Sequence, residues 1–132
     1  MSAAERHALA KGLIAQADKV VDAGDNVALQ GLWPRAAAAL TRQALETYAR
    51  ALLEEEGALV EDVRFGPLML ATHAVMEAES ARELAQLWAQ LSECLHHTEL
   101  GTTLDVRVAV QRARKLIEED KRRVVVEEDD EG

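Results

Sequence analysis

The apolar residues of the chain recur at spacings of three and four, the periodicity of helices that bury one face. Ser2-Ala-Ala-Glu5 has the capping-box pattern, in which two side chains each satisfy the other's backbone N–H. Leu9, Leu13, Ile14, Ala17, Val20 and Val21 follow at helical spacing, and the run 22–26 predicts a stop. A short apolar stretch, 27–33, leads into Pro34, whose missing N–H needs no acceptor in a first helical turn. A second helix is predicted from there to about residue 56, on the stripe Ala37, Leu40, Ala44, Leu45, Tyr48, Ala51 and Leu52, with Gly57 ending it.

Residues 59–66 read as a connector, and Pro67 predicts the start of a third helix through Met76. Ser80-Ala-Arg-Glu83 repeats the capping-box pattern and predicts the start of a fourth helix. Leu84, Leu87, Trp88, Leu91 and Leu95 form its apolar side, and it ends near His96-His97. The turn 98–103 closes on Thr103, a cap for a fifth helix with the stripe Val106, Ala109, Val110, Ala113, Leu116 and Ile117. Short connections between amphipathic helices predict an all-α antiparallel bundle of about five helices. Three consecutive valines, 124–126, are the nearest thing to a strand and have nothing to pair with.

Composition agrees. Ala and Leu, both good helix formers, dominate the 132 residues, and aromatic residues make up only 3%. The length suits one domain over residues 1–126. The net charge of −9 is unevenly placed: the last six residues, 127–132, account for −5 of it as an acidic, disordered tail. A weakly acidic body lacks the basic face that DNA binding needs, so no DNA partner is expected. A single cysteine, Cys94, excludes an intrachain disulfide. The first seven residues carry no apolar signal core and no window is long and apolar enough to span a bilayer, so a cytoplasmic protein without a membrane partner is expected.

The cluster of ionisable residues with most chemical interest is Glu93-Cys94-Leu95-His96-His97-Thr98-Glu99. On a helix, positions 93, 96 and 97 share a face and can point into one cleft. The bland alternative is a solvated helix end, where histidine suits the negative end of the dipole.

The helix carrying Arg42-Gln43-Ala44-Leu45-Glu46 resembles the first core helix of HEPN-domain proteins. The stretch Leu91-Ser-Glu-Cys-Leu-His-His97, then Thr98-Glu-Leu-Gly-Thr-Thr103 and a final amphipathic helix, resembles the end of some bacterial HEPN domains. In those relatives a histidine-rich helix end leads into a Tyr-Glu-Leu-x-Pro-Thr turn, of which Glu99-Leu100 and Thr102-Thr103 keep part. The similarity covers roughly residues 34–117.

The resemblance implies a helical homodimer, commonly an endoribonuclease of a toxin–antitoxin, defence or CRISPR system. In such an enzyme histidine moves a proton at the ribose 2′-hydroxyl and arginine holds the phosphate. His97 or His96 stands for the family histidine. The family arginine four to six residues earlier is missing, and position 93, the helical partner of His97, is Glu93. A carboxylate repels the scissile phosphate, so the nuclease motif is degenerate. Arg42 or Arg35, on a facing helix, is the substitute cation.

Other readings are less specific. Glu93-x-x-His96 has di-iron spacing, with His73, Glu77 and Glu46 as further candidates, but no second Glu-x-x-His exists, so neither metal nor cofactor is expected. His7 reads as an ordinary surface residue, Cys94 as core, and Trp33 and Trp88 as packing anchors. Arg107, Arg112, Arg114, Lys115, Lys121, Arg122 and Arg123 make the last helix the most basic part, either a solvated face or a strip that binds RNA or the acidic tail. The leading expectation is a dimeric, non-catalytic HEPN-like module that binds a protein partner such as a toxin, defence or nucleotidyltransferase component. The alternatives are a metal-independent RNase acting through His96 and His97, with RNA as its partner, and a purely structural bundle.

Overall fold

The computed structural model describes residues 1–25, 33–57, 65–96 and 105–119. They form α1 (Ala3–Asp22), α2 (Trp33–Glu55), α3 (Phe65–Ala71), α4 (Ala78–His96) and α5 (Val106–Glu119). Short 3₁₀ turns, Ala23–Asp25 and Thr72–Ala74, follow α1 and α3. No strand occurs among the described residues, so the all-α bundle read from the periodicity is the fold. His97, the turn to Thr103, the valines 124–126 and the acidic tail 127–132 lie outside the described residues.

Local chemistry explains most of the boundaries. The capping box at Ser2 is formed: Glu5 accepts the Ser2 N–H at 2.7 Å, and the Ser2 hydroxyl accepts the Glu5 N–H at 3.1 Å. These bonds hold the Glu5 carboxyl below its ordinary pKa. Gly57 ends α2 with φ of 69°, a left-handed conformation that a Cβ disfavours, and its N–H reaches the Glu54 carbonyl at 3.0 Å.

Four boundaries differ from those the sequence predicts. The third helix starts at Phe65, two residues before Pro67, which is tolerated because Pro67 still lies in the first turn. It stops at Ala71 because the buried Thr72 hydroxyl donates to the Met69 carbonyl at 2.6 Å, a local bond that competes with continuation. Ser80 does not cap the fourth helix. It lies inside α4, buried, and donates to Glu77 Oε1 at 3.2 Å, while its pattern partner Glu83 faces α5. The cap of α5 is Asp105, whose Oδ1 accepts the Arg107 N–H at 3.0 Å.

The long helices run up and down. Arg6 pairs with Glu54 at 2.8 Å and His7 with Glu55 at 3.0 Å, which sets the start of α1 against the end of α2. Arg35 reaches Leu95 and Trp88 reaches Glu46, which makes α4 antiparallel to α2. Glu83–Arg112 joins α4 to α5, and Asp18–Arg114 joins α5 back to α1. The order around the bundle is therefore α1, α2, α4, α5, with α1 and α4 on a diagonal. The core is built from Ile14, Leu45, Tyr48, Leu52, Leu84, Leu87, Leu91, Val110 and Ile117, all essentially inaccessible. Buried alanines at 37, 38, 44, 109 and 113 leave no bulk in the way, so α2 packs against α5 as well as against α1 and α4. Each core leucine contributes about 1.5–3 kcal/mol of transfer free energy.

Candidate functional site

The site region is one end of the bundle, where α4 finishes beside the start of α2. The last carbonyls of a helix have no intrahelical donor and carry the negative end of its dipole. Arg35, on the first turn of α2, fills this role: its Nη2 donates to the Leu95 carbonyl at 3.0 Å. The guanidinium therefore sits at the peptide adjoining His96. His96 is the last residue of α4 and is exposed, as is Glu93 one turn earlier. Both point away from the packed faces of the helix rather than into its core. Cys94, between them, is 5% exposed and packs inward.

Arg42 lies further along α2 and is turned to its own helix. Its Nε is 3.6 Å from Oε2 of Glu46. The same oxygen accepts the indole N–H of Trp88 at 2.8 Å. The Glu46 side chain is only 11% exposed. Loss of water pushes its carboxyl above the ordinary pKa, against the opposing pull of Trp88, Arg42 and Arg50. The structure brings Arg35 to the end of α4 and leaves Arg42 on the Glu46–Trp88 pair, so the two candidate cations are engaged in different places.

In the sequence Trp88 reads as a packing anchor, without its polar partner. The available signal was Glu46 itself, a carboxylate between Leu45 and Tyr48 on the buried side of α2.

The other singled-out residues have identifiable partners. His7 is not an ordinary surface residue: it is half-buried, its ring meets Tyr48 edge-on at 5.7 Å, and its Nε2 is 3.0 Å from Glu55. Trp33 packs so tightly on Gly24 that a Cβ there would be 3.0 Å from the indole, and the Arg107 guanidinium lies 4.4 Å from the ring centroid. Its ring is part of the structure. Arg112 is paired with Glu83, and Arg114 with Asp18 and Glu118. Much of the basic character of α5 is thus neutralised within the bundle, while positions 121–123 lie outside the described residues.

A cleft of about 240 Å³ opens at the other end of the bundle, between the start of α4 and the end of α5. Glu77, Glu79, Glu83 and Glu119 line it with Arg112 and Lys115. No group of three or more His, Cys, Asp or Glu residues able to hold a metal gathers among the described residues. His73 is exposed, Glu77 bonds to Ser80, and Glu46 bonds to Trp88. No described helix is long and apolar enough to cross a membrane. No protein-family model matches the chain, and neither a curated protein nor a solved structure matches it.

Proposed function

We propose that the chain is a HEPN-like helical module that acts by association, as a homodimer that engages a protein partner in a toxin–antitoxin or defence setting, and that it does not cleave RNA. The observation that carries this reading is the engagement of its arginines. A HEPN-type ribonuclease needs a guanidinium beside its histidine to stabilise developing phosphate charge. Arg35 is bonded to the Leu95 carbonyl, and Arg42 is turned to Glu46. The residue one turn before His96 is Glu93, whose charge opposes a phosphate. The paired arginines of α5 weaken the case for an extended RNA surface.

One observation favours the ribonuclease reading. The bond from Arg35 brings a guanidinium to the peptide next to His96, where a phosphate held by both residues would lie across the end of α4. RNA cleavage by the full chain and by His97→Ala separates the two. Equal, background rates support the association module. Cleavage by wild type that is lost in His97→Ala overturns it.

A further inference from the structure

The groove between α2 and α4 carries the opposite charge to the chain as a whole. Arg35, Arg42, Glu46 and Arg50 recur along α2 at helical spacing. Their partners place them on the flank turned to α4: Arg35 reaches Leu95, Glu46 takes the Trp88 indole, and Arg42 and Arg50 both act on the Glu46 charge. Opposite them α4 sets Trp88, Ser92 and His96, one turn apart. Arg82 and Glu93, on the outer crest of α4, are exposed and offset each other. Three arginines thus stand against one shielded carboxylate, on a body (residues 1–126) whose net charge is −4. The exposed Ala39 and Ala89 put nothing bulky over the groove.

Ser92 is a second, independent sign. Its Oγ is shut off from solvent and has no hydrogen-bond partner among the described residues. Buried hydroxyls are nearly always paired, so a donor stands here without its acceptor.

We infer that the acidic segment 127–131 of the same chain lies along this groove, its carboxylates on Arg35, Arg42 and Arg50 and one of them accepting from Ser92. Charge selects this occupant, since five consecutive carboxylates meet the most basic groove of the bundle. Length permits it. Glu119 ends α5 beside Glu79 and Glu83 at the start of α4. Residue 127 is eight positions further on, a reach of up to about 26 Å. Ser92 is nine positions along α4 from Glu83, about 14 Å, which leaves chain enough to pass around a helix about 10 Å across. The order of charges along the segment agrees. Lys121, Arg122 and Arg123 come first and pass the cleft at the start of α4, where carboxylates outnumber cations. The contact is a self-masking one: an acidic partner or a phosphate backbone has to displace the segment to reach the arginines. It does not depend on the homodimer proposed above.

The test is a comparison of amide and arginine Nε–H NMR spectra of the full chain and a variant with Glu127→Gln, Glu128→Gln, Asp129→Asn, Asp130→Asn and Glu131→Gln together. The expected result is a shift of the signals of Arg35, Arg42, Ala89 and Ser92, with those of α1 unmoved. Raising salt from about 0.05 to 1 M should move the same wild-type signals in the same direction, because the pairs are screened. Groove signals that stay unmoved in the variant overturn the contact and leave the groove to an acidic partner. A spin label on Gly132→Cys in a Cys94→Ala background locates the segment and is expected to broaden Ala39, Ala89 and Ser92 of its own chain. Broadening that appears instead in an unlabelled chain mixed with the labelled one assigns the segment to a second copy and overturns the intrachain contact.

Discussion

The indole N–H of Trp88 on α4 donates to Oε2 of Glu46 on α2 at 2.8 Å, and that carboxylate is almost wholly shielded from water. A shielded carboxylate is costly unless its oxygens are paired, and here one oxygen takes both the indole and the nearby Arg42 guanidinium. The pair ties the two helices together at a fixed register. Trp88→Phe keeps the ring and removes the donor. It is expected to destabilise the protein by about 1–3 kcal/mol, because a buried acceptor loses its partner. Urea unfolding of the two proteins measures this directly.

The same carboxylate gives the bundle a defined response to acid. Its folded pKa is raised by loss of water, so the native state binds a proton more tightly than the unfolded chain. Lowering the pH from the folded pKa toward the ordinary carboxylate value therefore favours folding through this group, and raising it reverses the gain. Glu46→Gln keeps an acceptor for Trp88 and cannot titrate. The variant should lose this contribution to the slope of stability against pH in that window. An identical slope in both proteins would contradict the assignment.

Gly57 is the other position where one atom decides. Its φ of 69° ends α2, and the space around it is open, so the cost of a side chain there is conformational rather than steric. Gly57→Ala is expected to lose about 1 kcal/mol or somewhat more, and Gly57→Asn less, since asparagine tolerates the left-handed region better. Thermal unfolding of the two variants gives the order.

Leu87 is fully buried at the centre of α4. Leu87→Ala leaves a cavity among rigid helices and should lower stability by about 2–5 kcal/mol. Chemical denaturation with an unchanged slope would identify the loss as packing rather than a change in the unfolded chain.

The number of helices, their apolar faces, the cap at Ser2 and the stop at Gly57 were all legible, because each depends on residues within a few positions of one another. The signals that failed were local patterns overruled by distant partners. Ser80 and Glu83 have the capping-box spacing, yet Glu83 is drawn to Arg112 on α5 and Ser80 is buried inside the helix. His7 carries no sign in the sequence of Glu55 and Tyr48, which the antiparallel packing of α1 on α2 brings to it. Arg35 stands out in the sequence for its charge, but its role as a donor to the end of α4 needs the fold to bring two points sixty residues apart together. Trp88 read as apolar because the indole N–H becomes important only once Glu46 is seen to face it.

That the chain works by association is tested by the mass of the 132-residue chain in solution. Sedimentation equilibrium over a range of micromolar concentrations is predicted to give twice the 14.5 kDa chain mass, with dissociation on dilution. A single species at the chain mass throughout would contradict it.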